Sequence, residues 1–209
     1  SIAVFAYAAV CLFELLNPFV ELSFGAKYLF ETNVVLILCI NFYIYGITKT
    51  GKIFHNSLGL FWYDRYKAVI EAVINLIASL ILVHNFGVFG IFMGTLISTV
   101  LTTLWVEPFV IYKYHFKECV TGYYLCMAWY FVQTAFAWAV AHFACVRIEK
   151  ISGIAGCIPQ IALRLVIVTV VMNGIFLIIN INNKNFRFLL AKFFSIIKVG
   201  KSGKNGVRR

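Results

Sequence analysis

In 209 residues, 62% are hydrophobic and 12% charged, at a mean hydropathy of +0.91. So little polar surface cannot coat a water-soluble domain, which predicts a polytopic membrane protein instead. The formal charge of +10 does not argue for nucleic acid, because the 18 Lys and Arg lie almost entirely between or beyond the apolar runs, where they set membrane orientation.

A spanning helix needs about 20 mostly apolar residues. Six runs meet or approach that length, at about 2–18, 32–49, 67–86, 88–112, 122–146 and 157–181. The fold class is therefore an all-α membrane bundle over 1–182. Ser1 already lies inside an apolar run, with no initiator Met, basic leader or cleavage site, so a fragment of a longer protein is expected.

The first run carries Glu14 and is predicted to stop at Asn17-Pro18, because proline lacks the backbone donor and disfavours helix at the residue before it. Glu21 to Glu31, with Gly25, then forms a short amphipathic connection. The second run holds Asn41 at membrane depth.

The third run is entered through Phe61, Trp62, Tyr63 and Tyr66, with Arg65 and Lys67 among them, and bears Glu71 and Asn75 four apart on one face. Arg65 and Lys67 read either as positive-inside anchors in an aromatic belt or as contacts for an anionic headgroup. Glu71 reads either as the partner of one of these cations or as a polar group facing a hydrated cavity.

Only His84 to Gly87 separates the third run from the fourth, so the two are expected to pair as an antiparallel hairpin. Gly90, Gly94, Ser98 and Thr102 recur at steps of four in the fourth run, a stripe of small residues suited to close helix packing. Glu107 follows, just before Pro108 and near Lys113, and stands as an interface pair or a gate.

The fifth run contains Gln133, and the sixth contains Arg164 and Asn173. An isolated charge at a helix centre costs roughly 2.5 to 3.5 kcal/mol on insertion scales, so pairing or hydration is expected. Arg164 and Glu14 are opposite in sign and share the outer half of the bundle when six spans are threaded, which suggests an ion pair.

Residues 183–199 place Phe186, Leu189, Leu190 and Phe193 on one helical face and Lys184, Arg187, Lys192 and Lys198 on the other. This predicts an interfacial helix that either anchors the last span or recognises anionic phospholipid. Residues 200–209 are predicted to be disordered and basic. Threading the spans puts fourteen basic residues on the side of this tail and four on the other, so the C-terminus is expected in the cytoplasm.

No catalytic constellation is legible. Asp64 is the only aspartate, DxD, HExxH and GxSxG are absent, and His55, His84, His115 and His142 lie far apart. Gly200-Lys201-Ser202 is no P-loop, since Ser195 stands where the motif needs glycine. The six cysteines have no metal-ligand spacing and are expected to act as small apolar residues, so neither metal nor cofactor is predicted beyond a coupling Na or H cation of unknown identity.

Leu16-Asn17-Pro18-Phe19-Val20 through Phe24-Gly25-Ala26-Lys27-Tyr28, then Gly59 to Lys67, Glu71 to Leu76, Gly87 to Thr95 and Trp105-Val106-Glu107-Pro108-Phe109, resemble Wzx-like polysaccharide repeat-unit flippases. The resemblance covers nearly the whole chain. It implies the multidrug/oligosaccharidyl-lipid/polysaccharide exporter superfamily, with this chain as most of the C-terminal lobe of a two-lobe, MATE-like transporter and the N-terminal lobe as its partner.

The task so implied is translocation of undecaprenyl-diphosphate-linked glycan across the bacterial cytoplasmic membrane by alternating access, with no covalent chemistry. The third and fourth runs would line the cavity. Arg65 and Lys67 would attract the diphosphate, Glu71 and Asn75 would meet sugar or a cation, and Glu107, Glu14 and Arg164 would gate or pair. A lipid II or multidrug exporter of the same superfamily remains an alternative, as does the membrane part of a glycosyltransferase or acyltransferase. A purely structural membrane subunit is a further rival.

Overall fold

The computed structural model describes residues 2–59, 62, 65–116, 119–152 and 157–181. The predicted basic helix at 183–199, its lipid contact and the tail at 200–209 lie outside the described residues, as do Phe61, Tyr63 and Asp64. The helices are α1 (Ile2–Phe24), α2 (Thr32–Ser57), α3 (Lys67–Phe86), α4 (Val88–Leu101), α5 (Thr103–Ile111), α6 (Thr121–Ser152) and α7 (Cys157–Asn180), with no strand among the described residues. Among the described residues, six helical stretches are long and apolar enough to cross a membrane, α4 and α5 counting as parts of one that runs from Val88 to Phe116.

The first helix does not stop at Asn17-Pro18. It continues through Pro18 to Phe24. A proline inside a helix leaves the carbonyl four residues earlier, here that of Glu14, without its helical donor. Arg164 of α7 supplies one, donating from Nη1 to the Glu14 carbonyl at 3.2 Å. Beyond the helix, Gly25 takes a φ of 89°, and the Asn17 side-chain amide pairs with the Phe30 peptide in both directions, at 3.0 and 3.2 Å, to bring the chain back.

The fourth predicted run is also not one continuous α-helix. α4 ends at Leu101 and α5 starts at Thr103, with Thr102 between them at φ −112° and ψ −76°. The Thr102 hydroxyl donates to the Ser98 carbonyl at 2.7 Å, the kind of back-bonding that bends helices. Tyr112–Phe116 then closes the span as a π-helical turn.

α3 and α4 form the expected hairpin, turned at Gly87 with φ 56°. The two backbones approach so closely that a Cβ at Gly90 would strike the Leu82 carbonyl oxygen, and one at Gly94 the Ser79 hydroxyl. Ser98 and Thr102 continue the same stripe and are buried, so the small residues pack helices together as predicted.

From this hairpin the bundle builds inward. α4 and α5 lean on α2, α2 on α1, and α1 on α7, which carries α6. The Tyr43 hydroxyl lies 2.9 Å from that of Thr134, which ties α6 back to α2. The core is made of small residues, Ala6, Ala9, Ala137 and Ala141, filled in by Val168 and Met172. α3 has no buried residue, and its outward face of Val73, Leu76, Ile77 and Leu80 suits contact with lipid. Of the thiols, Cys39 and Cys145 are buried as expected, whereas Cys119 and Cys126 are exposed.

Candidate functional site

The polar residues of the third run form a file. Lys67, Glu71, Asn75 and Ser79 recur every four residues on α3, so they share one face. Opposite them, on the antiparallel α5 and α4, Glu107, Thr103 and Thr99 recur at the same step. Lys67 Nζ donates to Glu107 Oε1. The Thr103 hydroxyl donates to Glu71 Oε2 at 2.9 Å, and the Thr99 hydroxyl reaches Oε1 at 3.4 Å. The Ser79 hydroxyl donates to Asn75 Oδ1 at 3.0 Å. At about 1.5 Å per residue, the file from Lys67 to Ser79 climbs roughly 18 Å.

Of Glu71 and Asn75, expected to line an open cavity, Glu71 turns towards α4 and α5, whereas Asn75 bonds to Ser79 of its own helix. Glu107 is 2% exposed and pairs with Lys67 rather than with Lys113. Lys113 is six residues from Glu107, and at about 100° per residue it falls on the far side of the helix. Its ammonium instead lies 5.2 Å from the Phe109 ring and 5.5 Å from that of Tyr114. α2 passes beside Glu107 at Gly51, where a Cβ would lie 3.9 Å from Oε2, an ordinary contact distance. Arg65 is exposed, with its guanidinium 4.3 Å from the Trp62 ring and 4.6 Å from that of Tyr66.

A second cluster gathers around Glu14, which is 3% exposed. Arg164 meets it as expected, with Nη1 at 3.9 Å from Oε2 and bonded to its carbonyl. His142 of α6 was not expected, and its Nδ1 stands 2.7 Å from Glu14 Oε1. The Trp138 ring stacks on the imidazole at 6.0 Å and 22°, and Phe13 meets it edge-on at 5.8 Å. Phe13 and Trp138 also line an apolar cleft of about 290 Å³ between α1, α2 and α6.

The remaining polar groups at membrane depth join helices or bond within their own. Asn41 donates to the Phe92 carbonyl across the α2–α4 contact at 3.0 Å. Asn180 donates to Gln133 Oε1 at 3.3 Å, and Asn173 donates to the Thr169 carbonyl one turn back at 2.8 Å. Among the described residues, no three His, Cys, Asp or Glu side chains come together as metal ligands would.

The chain matches no protein-family model, no curated protein and no solved structure.

Proposed function

We propose that this chain is the membrane-spanning part of a transporter that carries a lipid-linked oligosaccharide diphosphate across a bacterial cytoplasmic membrane, with its C-terminus in the cytoplasm. The observation that carries this reading is the polar file between α3 and α4–α5. At the Lys67–Glu71 end, away from the tight contacts of Gly90 and Gly94, an interface that opens and closes in a membrane needs contacts that water or a ligand can replace at small cost. The hydroxyl–carboxylate bonds from Thr99 and Thr103 to Glu71 meet that need better than an apolar seam does.

The chemistry of the file favours a glycan. Glu71 already accepts hydrogen bonds from two hydroxyls, those of Thr99 and Thr103, and sugar hydroxyls offer the same donors. Lys67 is committed to Glu107, and Glu71 adds a negative charge, so a diphosphate is repelled from the depth of the file. It is held at the mouth, where Arg65 is exposed beside Trp62 and Tyr66. The segments that resemble Wzx-like flippases include Gly59 to Lys67, Glu71 to Leu76 and Trp105 to Phe109, which hold Arg65, Lys67, Glu71 and Glu107. The chain would form most of a C-terminal lobe working against an N-terminal one, with no covalent chemistry.

The bonds from Thr99 and Thr103 to Glu71 also favour a second reading, a structural subunit in which the file only fastens α3 to its neighbours. Complementation of a polymer-export null strain by the full-length gene separates the two. Transport predicts that Arg65→Ala and Glu71→Gln abolish export at normal protein levels. Export restored by both variants would overturn the assigned roles, and lost protein with intact export per molecule would favour the structural reading.

A further inference from the structure

α2 and α6 both pack on α1, and the apolar cleft separates them at mid-span. Ala9, Val10 and Phe13 of α1 make its floor. Leu36 and Ile40 of α2 form one wall, and Ala135 and Trp138 of α6 the other. One end is closed where the Tyr43 hydroxyl lies 2.9 Å from that of Thr134, beside the Phe131 ring, 6.0 Å from that of Tyr43. The other end is closed where Phe13 meets Trp138 edge-on at 5.3 Å. From Phe131 to Trp138 the slot runs roughly 10 Å, at about 1.5 Å per residue of α6. Phe131 and Ala135 are exposed at its mouth, so it opens to the outside of the bundle.

We propose that this slot holds one acyl chain of a membrane phospholipid, as a resident packing element between α2 and α6. The inference goes beyond the transport reading and does not require it. The slot lies well inside three apolar spans, so in a membrane its mouth faces hydrocarbon rather than water. Its lining residues are apolar but for Tyr43 and Thr134, and those hydroxyls are engaged. Thr134 donates to the Tyr130 carbonyl at 2.8 Å and meets Tyr43. A polar ligand would be left without partners there, and so would water.

The volume decides between a chain and a helix. The slot holds about 290 Å³, less than one turn of an α-helix, which at a diameter of about 10 Å and a pitch of about 5.4 Å fills roughly 420 Å³. A helix of a second copy or of another protein cannot enter it, whereas an extended hydrocarbon chain can. Left empty, the slot would be roughly ten times the share of one water in the liquid, and its lining would lack contacts on one side. Phospholipid chains are the solvent around the spans, so mass action favours them over a scarcer prenyl chain.

The consequence is a link through lipid. α2 and α6 then touch through the chain along the slot, as well as through Tyr43 and Thr134 at its end.

Quenching of tryptophan fluorescence by phospholipid brominated near the middle of its chains tests this, on the purified chain in lipid nanodiscs. Trp62→Phe, Trp105→Phe and Trp129→Phe leave Trp138 as the reporter. Its emission should be mostly lost relative to unbrominated lipid, and Ala135→Phe, which fills the mouth, should restore most of it. A second protein that keeps only Trp129, 58% exposed on α6 and outside the slot, is the control, and its quenching should not change with Ala135→Phe. Ala135→Leu is the milder plug should the larger one prevent folding. An unquenched Trp138 overturns the proposal, because the slot is then closed to lipid. Quenching indifferent to both plugs overturns it as well, since bulk lipid then reaches the ring from outside. Quenching relieved by a small fraction of added polyprenyl phosphate would replace the phospholipid with a prenyl chain.

Discussion

Arg164 donates from Nη1 to the backbone carbonyl of Glu14, at 3.2 Å, and its charge also approaches the Glu14 carboxylate. That carbonyl is the one Pro18 leaves without a helical donor. A helix-breaking residue on α1 and a half-buried arginine on α7 thus complement each other. The lone cation in the sixth run of Ile, Leu and Val caps a backbone defect as well as pairing with an acid.

The two residues should therefore be energetically coupled. Pro18→Ala restores a backbone N–H for the Glu14 carbonyl, so the loss caused by Arg164→Gln should be smaller in that background, by about 1 kcal/mol, the usual net worth of one hydrogen bond. A double-mutant cycle of unfolding in mixed detergent micelles measures the difference. Strict additivity would mean that Arg164 does not act on this carbonyl.

Lys67 and Glu107 make a sharper case, because both lie largely out of contact with solvent, with side chains 13% and 3% exposed. Lys67→Met strands a buried carboxylate and should cost roughly 3 to 5 kcal/mol of stability. Lys67→Met combined with Glu107→Leu should cost less than Lys67→Met alone. Thermal unfolding of the wild type, Lys67→Met, Glu107→Leu and the double variant checks this, and a double variant as damaged as the sum of the two singles would rule out the pair.

The spans themselves were legible in the sequence, because hydropathy over about 20 residues reports burial in lipid whatever the helix neighbours are. Their ends were less so. Pro18 reads as a stop until Arg164, far away in sequence, is seen to satisfy the carbonyl it frees. Likewise the Arg164–Glu14 pair followed from opposite charges at matching depth, but His142 did not. Its role depends on the rotation of α6 about its axis, which an almost uniformly apolar run does not encode. The file on α3 was visible at Glu71 and Asn75 by spacing alone. Its partners Thr99 and Thr103 required the hairpin register set by Gly90 and Gly94.

That register offers its own test. Gly90→Ala puts a Cβ against the Leu82 backbone carbonyl, which cannot swing aside as a side chain would. The hairpin should spread, at a cost of about 1 to 3 kcal/mol typical of overpacking. Gly174→Ala on α7 meets nothing within 4 Å and should be neutral or stabilising by up to about 1 kcal/mol through helix propensity. Equal effects of the two variants on unfolding would contradict the close approach of α3 and α4.

Cys119 reports on orientation and on its own surroundings at once. It is exposed between the span that ends at Phe116 and the one that begins at Thr121, on the side assigned to the cytoplasm with Lys113. A membrane-impermeant maleimide should therefore label it in everted vesicles and spare it in intact cells, with Cys119→Ser as the control. The reverse pattern would invert the threading. The Thr121 hydroxyl, 3.0 Å from Sγ, together with its backbone N–H, holds the thiol below its ordinary range by stabilising the thiolate. Only the thiolate reacts. Labelling should therefore reach its plateau at lower pH than for an ordinary exposed thiol. Thr121→Val, which removes the hydroxyl, should shift the rate profile to higher pH and slow labelling near neutrality. An unmoved profile would show that the hydroxyl does not act on the thiolate.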